Sequence, residues 1–312
     1  MNKVLEGLSI YLLFPGFLFS AIVGLLAFWV DRKVTARIQW RVGPPWYQNF
    51  MDIIKLFYKE TLIPEGCPKA VFLGMPVVAL VSATAVAAIT LAANIWPRAG
   101  FVGDFLVVLY LAMIPSIALM LGGFSSGNPH ANLGSSREMK LILSYELPFI
   151  IAAAVPIIKS GYAIRFNDML AVQAHGGAFV SHASGILAFL VSLMSIQAKL
   201  GFVPFDIAEA ETEIVAGPYI EYSGKPLGIW KLAKAVSLVG LPVLLATILC
   251  GGIVMGPKGI LAGIGKYVLI LVLVVLIKNT NPRVRIDQAL KFFWGPMTVL
   301  AVAAVALAYF GW

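Results

Sequence analysis

The sequence predicts an all-α polytopic membrane protein, with about eight transmembrane helices and amphipathic surface helices. Three observations predict it. Hydrophobic residues make up 60% of the 312 residues and charged residues 12%, where soluble domains carry about 25% charged residues. Mean hydropathy is +0.90. The apolar residues gather in runs that approach the ~20 positions a membrane crossing needs. The whole chain, 1–312, reads as a single membrane domain.

The runs fall, in order, at Leu5–Val30, Ala70–Ile95, Phe101–Gly123, Lys140–Ile158, Gly185–Leu200, Leu232–Val254, Gly259–Ile277 and Phe293–Phe310. The fifth is short and has room to start near Ala178. The first is long enough to span and is followed by a strongly basic segment, so it reads as a span rather than a cleaved leader. Pro76, Pro115, Pro148, Pro156 and Pro242 interrupt the runs. Each removes a helical hydrogen bond, which membranes tolerate where a neighbour or water serves the freed group.

The net charge of +8 sets orientation rather than pointing to nucleic acid. Most Lys and Arg follow the first, third, fifth and seventh runs. The remainder are Lys3, Arg98, Lys159, Arg165, Lys258 and Lys266. Basic loops stay in the cytoplasm, so both termini are expected outside the cell membrane. Cys67 and Cys250 stand alone, and His130, His175 and His182 lack metal-ligand spacing. No cofactor or metal is expected in this chain.

Two cytoplasmic segments carry the chemistry. Residues 31–69 form a basic amphipathic loop. If helical, Lys33, Arg37 and Arg41 share a face, and Gly43-Pro44-Pro45 ends that helix. Tyr47 to Glu60 then places Phe50, Ile53, Ile54 and Phe57 at amphipathic spacing, beside Asp52, Lys55 and Lys59. The bases either anchor the chain by the positive-inside effect, dock a soluble partner or gate a cavity. Residues 201–231 form an acidic loop. Asp206, Glu209, Glu211 and Glu213 crowd together, and Glu221 follows. A helix would align Asp206, Glu209 and Glu213, whereas a strand would align Glu209, Glu211 and Glu213. Either way, crowded like charges should share protons as coupled groups.

Between them, Gly122 to Glu138 is rich in small and turn-forming residues, and Ser135 or Ser136 can cap the next helix. Glu146 lies nine residues past Arg137, or about 13 Å along a helix. An ionisable group at that depth, followed by Pro148, marks either a hydrated proton path or a structural charge pair.

These segments resemble a known family. Asp31-Arg32-Lys33, Ala36-Arg37, Gln39 and Arg41-Val42-Gly43-Pro44-Pro45 carry the first motif. Asp52, Lys55 and Glu60 carry the second, and Pro204 to Pro218 with Glu221-Tyr222-Ser223-Gly224 the third. Together they are similar to the subunit 1 (H-type) family of respiratory complex I and its hydrogenase relatives. Gly122 to His130, Leu133 to Met139 and Tyr145-Glu146-Leu147-Pro148 look most like the energy-converting, membrane-bound NiFe hydrogenases. Gly217-Pro218-Tyr219-Ile220 departs from the quinone-reducing branch.

The resemblance implies a non-catalytic subunit that anchors an electron-transfer arm and couples its chemistry to proton or sodium translocation. The implied partners are hydrogenase-like large and small subunits, a ferredoxin-like iron–sulfur subunit and antiporter-like membrane subunits, in the lipid bilayer. Iron–sulfur clusters and the NiFe site would lie in those partners. Coupling would fall to Glu146, Asp206, Glu209, Glu211, Glu213 and Glu221. Docking or charge pairing would fall to Arg32, Arg37, Arg41, Asp52, Lys55, Arg137 and Glu138. A quinone-reducing subunit, a sulfane sulfur reductase subunit and a stand-alone secondary transporter are the alternatives.

Overall fold

A computed structural model describes residue 7, residues 9–96 and residues 100–312, apart from the Glu211 side chain. Lys3 and Arg98 lie outside the described residues. Those residues are helices and connections, with no strand among them. Seven helical segments are long and apolar enough to cross a membrane, and Ala183–Lys199 is a shorter apolar helix. The protein is an all-α polytopic membrane protein.

The helices are α1 (Phe17–Ile38), α2 (Gln48–Tyr58), α3 (Lys69–Ile95), α4 (Asp104–Leu111), α5 (Ile114–Ser125), α6 (Pro129–Lys159), α7 (Phe166–Gly176) and α8 (Ala183–Lys199). They continue with α9 (Glu211–Ile214), α10 (Gly224–Leu249), α11 (Pro257–Thr280), α12 (Ile286–Phe292) and α13 (Thr298–Tyr309). α4 with α5 make one span, broken near Met113, where Pro115 starts the second half. α12 and α13 make another, joined by a π-helical turn at Phe293–Met297 that holds Pro296. The missing proline N–H and its bulky ring account for both irregularities.

α10 is the hub. Its hydrophobic window is 94% buried, against 28% for α11 and for the α12–α13 span. It packs chiefly on α3 and α1, while α6, α8 and α13 pack on one another. All these helices are apolar around most of their circumference. Which one sits inside depends on small residues that admit close approach. At Gly24 of α1, an added Cβ would lie 2.2 Å from the Ala235 carbonyl oxygen of α10.

Several expected boundaries shift. The first helix runs on to Ile38, so Asp31, Arg32, Lys33 and Arg37 lie on the rod rather than in a loop. Arg41 lies beyond its end and does not share the face of Lys33 and Arg37. Trp40 takes φ 57°, and the chain folds back so that Lys33 donates to the Val42 carbonyl at 2.9 Å. α6 begins at Pro129, a full three turns before the apolar run. Its cap is Asn128, whose side chain accepts the His130 N–H at 2.8 Å, because Pro at the first helical position needs no partner. Ser135 is thereby buried inside the helix and caps nothing. The acidic loop ends at Ser223, so Lys231 and Lys234 belong to α10.

Candidate functional site: charge pairs lining two cavities

α1, α5, α8 and α11 end on the side of the bundle where the acidic loop lies. That loop is a set of turns around the four-residue α9, neither a continuous helix nor a strand. Its backbone is pressed against α6. At Gly217 (φ 50°) a Cβ would sit 1.9 Å from the Ala208 carbonyl oxygen, and at Gly134 of α6 one would sit 2.6 Å from Pro218. Only hydrogen fits at either position.

The acids do not crowd. Each described acid turns to its own partner on a different element. Asp206 takes a two-pronged contact from Arg283, 2.7 Å from Nε to Oδ1 and 2.5 Å from Nη2 to Oδ2. Glu209 holds Lys234 of α10 with both oxygens at 2.8 Å. Glu213 accepts from Arg137 of α6 at 2.5 Å. Glu221 accepts from the Asn128 amide at 2.6 Å. The side chain of Glu211 lies outside the described residues. The expected coupled cluster is thus replaced by separate pairs: close unlike charges gain what crowded like charges lose.

Glu146 on α6 pairs with Lys199, at the last turn of α8, whose side chain is 1% exposed. The Lys199 ammonium also lies 4.9 Å from the Tyr145 ring centre and 4.7 Å from that of Phe149. Glu138, expected to dock a partner or pair with a charge, is 6% exposed. Its carboxyl meets the Ser116 hydroxyl, which also receives Tyr145 Oη–H at 3.1 Å. Helix geometry explains the shift: with α6 beginning at Pro129, Glu138 lies well inside the rod.

Two cavities join these groups. The larger, about 450 Å³, is lined by Asp31, Lys278, Glu209 and Lys234, with Phe28, Phe202 and Trp230 supplying apolar wall. Asp31 of α1, 2% exposed, pairs with Lys278 of α11 at 2.7 Å. The smaller, about 40 Å³, is lined by Glu209 and Lys234 on one side and Glu138 and Lys199 on the other. It has room for about one water. Acids and lysines therefore succeed one another from the larger cavity, through Glu209–Lys234 and Glu138, to Lys199–Glu146. Burial, with Glu209 and Glu138 facing it, pushes the Tyr219 hydroxyl well above the usual phenol range. Tyr219 stays a neutral donor beside both cavities.

The expected docking residues divide. Arg32 donates to Asn49 at 2.7 Å and faces Asp52 at 3.4 Å, clamping α1 to α2. Lys55, Arg37 and Arg41 are exposed and form no ion pair among the described residues. Arg137 takes the charge-pairing alternative, on Glu213 of the acidic loop. Asp31, Lys199, Lys234 and Lys278 join the site only through the fold. Each lies in the last turns of an apolar helix or near its start, where a charge commonly reaches out to the interface, so nothing in the sequence marked them as turned inward.

The sequence model of the NADH dehydrogenase family matches residues 10–309. The chain belongs to this family. It is 31% identical over 299 residues to the H-type subunit of NADH-quinone oxidoreductase from Dehalococcoides mccartyi (strain CBDB1), covering 93% of this chain and 83% of that one. It is 32% identical over 316 residues to the corresponding protein of Thermomicrobium roseum, covering 93% and 92%. Among solved structures, it matches a chain of the membrane-bound sulfane sulfur reductase, an archaeal respiratory membrane complex. That match has a TM-score of 0.82 and 27% identity, and covers 94% of this chain and 96% of the other.

Proposed function

We propose that this chain is a non-catalytic, multi-pass subunit of a complex I-like oxidoreductase of the cell membrane. It anchors an electron-transfer arm and relays its redox event to ion-carrying membrane subunits. The observation that carries this reading is the succession of charged groups from Asp31–Lys278 through the part-buried Glu209–Lys234 pair and the buried Glu138 to the buried Glu146–Lys199 pair. Charges buried in a bilayer are costly and are kept for ion or proton pathways. A redox change above the larger cavity would shift the balance within one pair. The next pair, across a single-water gap, would respond by proton transfer or rehydration.

The acidic loop and the free Arg37, Arg41 and Lys55 face the arm in this reading. Both termini lie outside the cell, and iron–sulfur clusters belong to the partners. The near end-to-end match to the sulfane sulfur reductase chain favours sulfane sulfur as terminal acceptor over protons. The apolar wall of the 450 Å³ cavity favours a second reading, in which an amphipathic quinone is reduced.

The test uses the purified assembly with reduced ferredoxin or NADH as donor, and polysulfide, quinone or no added acceptor. Sulfide formation is expected. Quinol formation supports the second reading. Hydrogen release with bound nickel overturns both in favour of a hydrogenase. Ion exchange by the isolated chain in liposomes, without any redox partner, overturns the subunit role altogether. Glu146→Gln should abolish donor-driven ion uptake by vesicles while electrons still reach the acceptor.

A further inference from the structure

Phe202 stands between the first two pairs of the relay. It follows Gly201, which turns the chain out of α8 with φ 59°. A Cβ on Gly201 would lie 3.0 Å from Glu209 Oε1 and 3.5 Å from Lys234 Nζ, so the turn lets this pair close on the backbone. The next residue is held on both sides. The Phe202 N–H bonds the Gln197 carbonyl at 3.2 Å, and its own carbonyl takes the Phe205 N–H at 2.8 Å. Gln197 Nε2 also fixes the Val203 carbonyl at 2.7 Å. The ring, 6% exposed, meets Phe28 edge-on at 6.1 Å and lines the larger cavity.

Two ammonium groups lie close to this one ring. Lys278 Nζ is 4.9 Å from its centre and Lys234 Nζ is 5.6 Å away. The lysines come from α11 and α10. Their carboxylates, Asp31 and Glu209, come from α1 and the acidic loop. An aromatic face attracts cations within about 6 Å, most strongly where water is excluded. Among the described residues, no other aromatic ring lies this close to two ammonium groups.

We propose that Phe202 is a positioning residue of the relay: its π face is the shared seat of Lys234 and Lys278, and it sets how the two pairs exchange charge. The inference rests on the relay reading above. Held by one ring, each lysine keeps its own carboxylate, and neither swings across the cavity to the other's. When the electronic state above the cavity draws one lysine away, its repulsion of the other ammonium is relieved and the remaining lysine settles more closely on the ring. The two pairs are thereby set against each other rather than left independent. A leucine would fill similar space without a π face.

The experiment uses membrane vesicles carrying the whole assembly, energised with NADH or reduced ferredoxin, whichever the wild type oxidises. Proton uptake is read with a pH-sensitive dye and sodium uptake with radiosodium, each divided by electrons transferred. Loss of assembly lowers both quantities together and leaves the ratio unmoved. Phe202→Leu should lower the ratio about threefold or more, and Phe202→Tyr should hold it within about twofold of wild type, because tyrosine keeps the π face. A wild-type ratio in Phe202→Leu overturns the proposal. So does a ratio in Phe202→Tyr as low as that of Phe202→Leu, which would show that shape alone matters. Glu209→Gln separates the two levels: a wild-type ratio there overturns the relay itself. A low ratio there with a normal one in Phe202→Leu overturns only the role of the ring.

Discussion

The two ends of the bundle are held together by different chemistry. At the end where α1, α8 and α11 finish, ionised side chains do the work: Asp31–Lys278, Glu209–Lys234, Asp206–Arg283 and Arg137–Glu213. The cavities lie there too. At the end where α3, α10 and α13 finish, neutral side chains make many of the contacts, and Asp104, Arg165 and Lys266 bond backbone groups rather than one another. Asn94 donates to Thr247 Oγ1 at 2.8 Å and accepts the Ile253 N–H at 2.7 Å. Gln173 donates to the Thr247 carbonyl at 3.0 Å and accepts the Gly251 N–H at 2.7 Å. Amide and hydroxyl contacts do not change charge near neutral pH. They close one end as a fixed seal and leave the other able to respond to a charged event.

The sharpest way to break this contrast is to orphan a buried charge. Glu146→Leu leaves the Lys199 ammonium without its counter-ion among apolar rings, which costs about 3–5 kcal/mol. A large fall in thermal stability of the purified assembly is expected. Glu146→Leu with Lys199→Met together should recover most of that stability, because an apolar pair replaces an ionic one, but should not recover ion uptake.

At the neutral end the expected cost is smaller and of another kind. Asn94→Leu strips partners from the Ile253 N–H and Thr247, for about 1–3 kcal/mol. Stability should fall while ions moved per electron stay at the wild-type ratio. A changed ratio would mean that this end takes part in transport.

A pH titration sharpens the contrast further. Burial pushes the Tyr222 hydroxyl up to about 12 from 10.0. The folded chain therefore holds that proton more tightly than the unfolded one. The contribution is whole below about pH 10 and is lost as pH rises toward about 12. Tyr222→Phe should flatten part of the alkaline stability loss in that window, on top of a pH-independent loss of about 1 kcal/mol for the buried hydrogen bond to the Phe72 carbonyl, as followed by unfolding in detergent. The smallest effect belongs to the half-exposed Arg32–Asp52 pair. Asp52→Asn should change stability by less than about 1 kcal/mol.

Much of this was legible in the amino acids. Runs of apolar residues fix the spans because a bilayer demands them, and the broken third span is visible in Pro115. Glu146 stood out as an acid in an apolar helix. Glu138 did not, because three turns of polar and small residues beginning at Pro129 look like loop until Asn128 is seen to cap them. The acidic loop misled in the opposite direction. Spacing along the chain put four carboxylates side by side; Arg137 is legible as a charge-pairing residue, but nothing local revealed that Arg283 and Lys234 claim Asp206 and Glu209.

Composition and hydropathy by themselves determined that this chain lives in a bilayer, roughly where it crosses, and that its acids are few enough to matter. These are one-dimensional properties, set by the cost of placing each residue in hydrocarbon. Only the tertiary structure decided which lysine meets which carboxylate, that α10 lies at the centre, and that one phenylalanine ring lies beside two cations. Coulomb and cation–π forces act over a few ångströms of space, and helix packing alone brings residues far apart in the chain to that distance.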